Sequence, residues 1–139
     1  RRGSRKCLDL IQQLGDESDQ AELVSIGYAG EFVITFSTAG GNGEEQDKQI
    51  RQGLNHIFWF LKDLRQGRND PLYQQFPPLP QLARRSNEQI EEEGGNEDVD
   101  AQMNNNGEVF NIKYWAKLAK VQILNCFIDN SNTKPDWYN

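Results

Sequence analysis

Residues 44–66 read EEQDKQIRQGLNHIFWFLKDLRQ, and this stretch has the most regular pattern in the chain. Its large apolar residues recur with the period of an α-helix and form one continuous stripe: Ile50, Leu54, Ile57, Phe58, Leu61 and Leu64. Acidic residues begin the stretch and Arg65 lies near its end, an order that the helix dipole favours. The pattern therefore predicts a long helix. Trp59 and Phe60 widen its apolar surface, so we expect it to be covered on two sides or to lie across a sheet.

The residues before this helix predict a shorter helix and then a β-hairpin. Residues 4–14 have apolar side chains at helical spacing, and Gly15 follows them as a stop signal. Residues 22–28 and 31–38 are rich in β-branched and aromatic residues and alternate imperfectly in polarity, which is typical of strands. Gly30 lies between the two stretches and suits a tight turn. We therefore predict two antiparallel strands here.

An acidic stretch follows further along the chain, at residues 86–107. It contains seven acidic residues and no Lys or Arg, so the other residues hold 14 acidic against 15 basic side chains. Large apolar residues are almost absent from it, and burial therefore cannot offset the entropy cost of ordering the backbone. We predict a disordered acidic loop attached to a nearly neutral domain.

Residues 108–129 are apolar on most sides at helical spacing, so they predict a central closing helix, with a strand at 108–113 as the alternative for its first part. The whole chain, residues 1–139, is long enough for one domain. We expect a helix–hairpin–helix unit with a proline-rich elbow over 1–85, and the closing helix with a polar tail over 108–139. The predicted class is α+β: a small antiparallel hairpin or sheet packed in two layers against two long helices.

A catalytic or metal site is not predicted. His56 is the only histidine, and neither a serine nor a cysteine accompanies it in a pattern typical of nucleophilic catalysis. The two cysteines, Cys7 and Cys126, form no metal-binding motif, although a single bridge between them is left open. We therefore predict no enzymatic activity, no metal and no cofactor. The sequence has no run of about 18 apolar residues, so a membrane span is not predicted. The expected compartment is intracellular, either cytoplasmic or nuclear.

Residues 71–80 read PLYQQFPPLP and are called here the proline segment. PPLP at 77–80 resembles the ligands of WW domains. FPPLP at 76–80 resembles the Phe-Pro-x-apolar-Pro ligands of the EVH1 domains of actin-regulatory proteins, and this resemblance implies that Phe76 fills a pocket on a partner. Proline-rich ligands dock readily because their polyproline II helix is already formed.

The same segment can instead be an elbow that folds onto its own domain. A polyproline II helix has three residues per turn, so Tyr73, Phe76, Leu79 and Leu82 fall on one side. Exposed apolar stripes of this kind usually become buried. The elbow predicts that Phe76 packs against Ile57 or Leu61, whereas the docking segment predicts an exposed Phe76.

The leading functional prediction is a non-enzymatic domain for protein–protein interaction, regulation or assembly, whose partner is another protein or a second copy of the chain. Its predicted surface combines two aromatic residues of the long helix with the proline segment: Trp59, Phe60, Tyr73, Phe76, Pro77, Pro78, Leu79 and Pro80.

A small nucleic-acid-binding domain is the alternative. Its basic residues would lie on an N-terminal arm, beside the proline segment and on one face of the closing helix: Arg1, Arg2, Arg5, Lys6, Arg84, Arg85, Lys113, Lys117 and Lys120. Ser4 follows paired arginines and is a candidate phosphorylation site, because added negative charge near a helix N-terminus is favourable.

Overall fold

The structure, a computed structural model, describes residues 2–37, 43–104 and 111–125, with the side chains of residues 2–6, 35–37 and 44 left aside. These residues form seven helices: α1 (Arg2–Leu14), α2 (Glu17–Ser25), α3 (Tyr28–Ser37), α4 (Gly43–Gln66), α5 (Pro80–Glu92), α6 (Gly95–Gln102) and α7 (Ile112–Asn125). Within them there is no sheet, and the only β-type pairing is a single bridge between Arg68 and Phe76. The predicted α+β class is therefore wrong.

Helix α4 is the centre of the fold, in contact with α3, α5 and α7. Its core-facing side chains are almost completely buried: Leu54, Ile57, Phe60, Leu61 and Leu64. Phe60 occupies the interior together with Tyr28 and Phe32 of α3, whose rings meet it at steep angles. Phe58, which the sequence pattern assigns to the apolar stripe, is only half-buried. The buried face of α4 is thus rotated slightly from the predicted one.

The predicted hairpin is replaced by helices α2 and α3. Asp16 begins α2 with a capping box, in which its side chain and that of Asp19 each accept a hydrogen bond from the other residue's backbone N–H. The buried side chains then follow a helical rather than a two-residue period: Leu23, Val24, Tyr28, Ala29, Phe32 and Val33. Packing of this face on α4 and α5 outweighs the β-propensity of Val, Ile and Phe.

The prediction of a disordered loop at 86–107 is also wrong where the structure describes these residues. Pro80 provides the first position of α5, where its fixed φ and missing N–H are tolerated. The buried face of α5 consists mainly of small and polar residues, namely Ala83, Ser86, Asn87 and Gln89, together with Ile90. Ile90 is the one large apolar side chain on this face, which packs on α3 and α4, and this explains why the composition resembles that of a disordered segment.

Helix α6 packs closely against α5 because Gly95 has no side chain. A Cβ atom at Gly95 would lie 2.5 Å from Cγ2 of Ile90 and 2.7 Å from Cγ2 of Val33. Val99 is fully buried one turn later. Residues 105–107 of the predicted loop lie outside the described part of the chain.

Helix α7 lies along α4 and α6, and its buried side chains recur at helical spacing: Ile112, Ala116, Ala119 and Ile123. The helix begins at Ile112, so the alternative of a strand at 108–113 does not hold for residues 112 and 113. Cys126, Phe127 and the polar tail lie outside the described residues. Cys7 carries an exposed, free thiol.

The loop after α4 is held closely against the end of that helix. The N–H of Gly67 donates to the carbonyl of Asp63 at 2.8 Å, and the N–H of Leu79 donates to the carbonyl of Leu64 at 2.6 Å. Arg68 and Phe76 exchange two backbone hydrogen bonds of 2.8 and 3.1 Å. Backbone hydrogen bonds therefore fix Phe76 and Leu79 of the proline segment next to the C-terminal end of α4.

Gly67 permits this close approach. Its φ is +80°, and an added Cβ would lie 2.8 Å from both the carbonyl oxygen of Phe76 and the nitrogen of Pro78. We expect Gly67→Ala to lower the free energy of unfolding by about 2–4 kcal/mol, because it combines left-handed strain with backbone overlap. Gly94→Ala is the matched control, since Gly94 has φ +73° but open space at its Cβ position. We expect it to cost about 1–2 kcal/mol. Equal costs in urea unfolding would contradict the predicted overlap.

Candidate protein-interaction surface

Four aromatic rings of α4 and α7 form a connected row on the surface, which we call the aromatic ladder. In order along the row they are Trp59, Phe58, Trp115 and Tyr114, and the successive ring centroids are 5.0, 6.0 and 5.5 Å apart. Each pair meets nearly edge to face, with interplanar angles of 77°, 68° and 77°. Trp59 is 41% exposed and Tyr114 is 56% exposed, whereas the two middle rings are half-buried. The ladder therefore has two half-buried rings in the middle and an exposed ring at each end.

Basic side chains surround the ladder. Nζ of Lys62 lies 4.9 Å from the ring centroid of Trp59 and 5.6 Å from that of Phe58, within the range of cation–π attraction. Lys113 and Lys117 are exposed beside Tyr114 on α7, and Lys117 is one helical turn from it. In the described part of the chain, neither of these two lysines forms an ion pair. The ladder thus combines exposed aromatic edges with unpaired positive charge.

A groove of about 450 Å³ borders the ladder on the other side of Trp59. It lies between the end of α1, the second half of α4 and the loop that precedes the proline segment, and its walls include His56, Trp59, Lys62, Asp63, Arg68 and Tyr73. Trp59 and Tyr73 are both substantially exposed there. Trp59 therefore belongs to two adjoining features, the ladder and the groove.

Arg68 forms the floor of the groove and joins three parts of the fold. Its guanidinium donates to the carbonyls of Gln12 and Gln13 at the end of α1, both at 2.7 Å, and to the carboxylate of Asp63 at 2.9 Å. It also lies 4.9 Å from the centroid of the Phe76 ring. Burial raises the pKa of Asp63, and the hydrogen bond and charge of Arg68 oppose that shift. The side chain of Arg68 is 7% exposed, so its hydrogen bonds are largely shielded from water.

A second polar connection links α1 to α3 and α4. The buried phenol of Tyr28 donates to Oδ1 of Asp9 at 2.6 Å, and Nδ1 of His56 lies 3.7 Å from the same oxygen. The pKa of Tyr28 is raised far above its ordinary value, mainly by burial and to a smaller extent by the hydrogen bond and charge of Asp9. The phenol therefore stays protonated and remains a hydrogen-bond donor. The ring of His56 also lies against that of Phe32, with centroids 5.3 Å apart. This arrangement positions α1 and places His56 on the groove wall.

The environment of His56 predicts a dependence of stability on pH. Burial lowers the pKa of His56 below 6.5, and the charge of Asp9 opposes this effect only in part. The unfolded chain therefore binds a proton at this residue more readily than the folded protein does. The contribution of neutral His56 to the free energy of unfolding is complete above the ordinary histidine pKa of the unfolded chain. It is lost as the pH falls from that value through the lower pKa of the folded protein.

We therefore expect the wild type to lose more unfolding free energy than His56→Gln between about pH 7.5 and about pH 5.5. Urea unfolding curves recorded at both pH values measure the difference. Parallel losses in the two proteins would contradict a folded-state preference for the neutral imidazole.

The structure separates the predicted protein-binding residues into two groups. Phe60 and Phe76 are buried, at 1% and 4% exposure, so neither is available to a partner in this structure. Phe76 lies under Arg68 rather than in the main core, whereas Leu79 is half-buried against that core. Trp59, Tyr73, Pro77, Pro78 and Pro80 are exposed. The burial of Phe76 is the outcome that the elbow predicts, with Gly67 and Arg68 holding the residue inward, and partner binding by the proline segment stays a prediction.

The predicted nucleic-acid-binding residues do not all present free charge. Arg85 pairs with Glu88 and Glu92, and Nζ of Lys120 lies 2.9 Å from Asp100. Arg84, Lys113 and Lys117 are exposed. Arg1 lies outside the described residues. For four further residues, Arg2, Ser4, Arg5 and Lys6, the structure places the backbone in α1 but does not describe the side chain.

Sequence reasoning missed Phe58, Lys62, Tyr114 and Trp115 as surface residues. A signal was present, because adjacent aromatic residues in a helix point about 100° apart and cannot all enter one core. The run FWF at 58–60 and the pair YW at 114–115 therefore require exposed aromatic rings. Arg68 carried no such signal, since its partners are backbone carbonyls about 55 positions earlier in the chain.

No group of three or more His, Cys, Asp or Glu side chains in the described ranges of the chain is arranged to hold a metal ion. None of the helices in these ranges is long and apolar enough to cross a membrane. Comparisons of the chain with protein-family models, with curated proteins and with solved structures found no match. The functional proposal therefore depends on the geometry of the ladder and groove.

Proposed function

We propose that this domain is a non-enzymatic protein-interaction module that binds a partner protein through the aromatic ladder. The observation that carries the proposal is the row of four contacting rings with exposed ends at Trp59 and Tyr114. Contiguous aromatic surface is costly to leave in water and is typical of interaction sites. An intracellular location belongs to the proposal, because the exposed thiol of Cys7 suits a reducing compartment.

The arrangement of the rings favours tight binding at small cost in entropy. Aromatic side chains have few rotatable bonds, and the contacts of Phe58 with Trp59 and Trp115 already restrict them. Trp and Tyr are also the residues most often found among those that dominate binding energy at interfaces. A partner would therefore meet a surface that is largely pre-organised.

The proposal is tested with the double variant Trp59→Ala, Tyr114→Ala. We expect proteins captured from the native cell by the wild type, quantified by mass spectrometry, to fall by about tenfold or more with this variant. The control is Leu10→Ala, Leu14→Ala, which removes two exposed apolar side chains of α1 and should preserve capture. Both variants must melt close to the wild type. Equal capture by the wild type and the ladder variant would refute the proposal.

Nucleic-acid binding is the second candidate function, favoured by Lys113 and Lys117, which are exposed beside an aromatic row and form no ion pair with any residue that the structure describes. A binder of this kind should lose affinity for single-stranded oligonucleotides with increasing salt, by somewhat less than one unit of log K per unit of log salt for each phosphate neutralised. No binding at low salt would exclude it.

A further inference from the structure

Charge is segregated between two pairs of helices. Helices α4 and α7 together carry seven basic and four acidic side chains. Three of the acidic residues, Glu44, Glu45 and Asp47, lie at the start of α4, three or more helical turns before Phe58, and the fourth is Asp63. Asp63 already pairs with Arg68. Helices α5 and α6 carry six acidic and two basic side chains. The ladder thus lies on the helices with excess positive charge, and negative charge on a partner would be attracted to it.

Three lysines place this charge within reach of the aromatic edges. The ammonium of Lys62 lies over the rings of Trp59 and Phe58 at one end of the ladder. At the other end, Lys117 lies one helical turn from Tyr114 and Lys113 precedes Tyr114 in the chain, and both lysines are exposed. A ligand that covers the rings therefore meets a cation at each end. The three ring-to-ring steps span enough surface for about five residues of extended chain at about 3.3 Å each.

The geometry of the rings favours a peptide over stacked bases. Successive rings of the ladder are nearly perpendicular, so they do not offer parallel faces to consecutive bases. Lys62 also covers faces of Phe58 and Trp59. Ring edges and a half-buried centre instead suit the side of an apolar or aromatic side chain.

The acidic helices of a second copy lack a matching apolar group. The exposed large apolar residues of the described chain lie on α1, α3, α4, α7, and in the segments around Ile26 and Leu72, and none lies on α5 or α6. Contact of the ladder with α5 and α6 of another copy would therefore desolvate rings and carboxylates without apolar contact in return.

We propose that the ligand of the ladder is a short acidic peptide segment of a partner protein that carries one large apolar or aromatic side chain. This side chain packs on the edges of Phe58 and Trp115, and carboxylates on either side pair with Lys62, Lys113 and Lys117. The inference rests on the proposed function and specifies the chemistry of its partner. Both charge and apolar contact contribute, so neither an acidic peptide without the apolar residue nor a neutral apolar peptide is a good ligand.

The test is a selection of displayed random 12-residue peptides on the whole chain. We expect the selected peptides to be rich in Asp and Glu and to share a Trp, Phe or Leu. The best of them, made as a labelled synthetic peptide, should bind about tenfold or more weakly to Lys113→Glu, Lys117→Glu. The matched control is Lys48→Glu, Arg84→Glu, which changes the net charge equally at two exposed positions outside the ladder. It should alter the affinity by less than about threefold, the difference expected from long-range charge alone.

Other outcomes separate this inference from the proposed function. Selected peptides that are neutral or basic, but lost with Trp59→Ala, Tyr114→Ala, would overturn the acidic ligand and leave the interaction surface standing. An equal loss of peptide affinity in both charge-reversal variants would likewise overturn the proposed pairing of peptide carboxylates with Lys113 and Lys117. Peptides unaffected by the Trp59 and Tyr114 changes, or no selected peptide, would overturn both. Preferential binding of a 12-nucleotide oligo-dT would show that the ligand is a nucleic acid and not a peptide. A molecular mass that doubles with rising protein concentration in the wild type, but not in Trp59→Ala, Tyr114→Ala, would show that the ligand is a second copy of the chain.

Discussion

Phe60→Ala should lower the free energy of unfolding by about 3–5 kcal/mol, whereas the change at its neighbour, Trp59→Ala, should cost about 1 kcal/mol. Phe60 is 1% exposed, and its ring contacts those of Tyr28 and Phe32 at centroid distances of 5.1 and 6.5 Å. Its removal leaves a cavity at the α3–α4 contact, where the packed rings cannot readily collapse. Trp59 faces the surface instead and loses mainly its contacts with Phe58 and Lys62.

Urea unfolding of the two single variants measures this contrast directly. We expect the midpoint of Phe60→Ala to fall far below that of Trp59→Ala, with similar slopes. In a binding assay the order should be reversed, because Trp59 belongs to the ladder and Phe60 does not. Comparable stability of the two variants would contradict the orientation of α4 about its own axis, because it would mean that Phe60 does not face the core.

Arg68→Ala should have the second large effect, about 3–5 kcal/mol, because it removes one partner of a buried charged network. Asp63 loses its guanidinium partner, and the carbonyls of Gln12 and Gln13 lose the hydrogen bonds that Arg68 donates at the end of α1. The side chain of Gln20 still donates to the carbonyls of Gln12 and Gly15. We therefore expect α1 to loosen before the rest of the fold, as faster amide exchange within α1.

Two matched variants define this effect. Arg85→Ala removes an exposed arginine that pairs with two exposed carboxylates of its own helix, and it should change stability by less than about 0.5 kcal/mol. Arg68→Lys keeps the charge but not the planar fork that reaches α1 and Asp63 together, so it should recover only part of the loss. Equal stability of Arg68→Ala and Arg85→Ala would show that Arg68 does not hold α1 in place.

The central helix could be predicted from the sequence because its pattern is strong and long. The apolar stripe of residues 44–66 corresponds closely to α4, which runs over Gly43–Gln66. The row of exposed aromatics also had a local signal in FWF and YW, although the partners of each ring are set by the packing of α7 on α4.

The predicted strands were wrong because local propensity was given too much weight. Over residues 22–38 the β-branched residues favour strands, but the positions of Leu23, Val24, Tyr28, Phe32 and Val33 fit one helical face. The capping box at Asp16 and Asp19 was the overlooked local sign of a helix.

The acidic stretch was misjudged for a different reason. Composition predicts disorder when large apolar residues are missing, yet α5 and α6 bury Ala83, Gly95 and Val99, which allow close packing between helices. Polar side chains also join this interface, as the amide of Asn87 donates to the carbonyl of Ile123 at 3.1 Å. Close packing by small residues depends on the partner helix, and a single sequence does not display it.

The proline segment shows the limit of a short motif. FPPLP matches the pattern of a docking ligand, but Phe76 is buried because Arg68 pairs with it through the backbone and covers its ring. The two residues are eight positions apart, and only the loop that closes between them brings them together. The surface that we propose for binding is the ladder, which the motif does not include.

Photo-crosslinking at position 114 is the most direct measurement of the central claim, that the ladder is where a partner binds. Tyr114 is replaced by an aromatic photo-reactive residue, which keeps a ring in place, and the protein is irradiated in its native cell. The matched position is Glu91, which is exposed on α5. We predict discrete protein adducts from position 114 that disappear with Trp59→Ala, and none of these adducts from position 91. The same adducts from both positions, or none from position 114, would contradict the account.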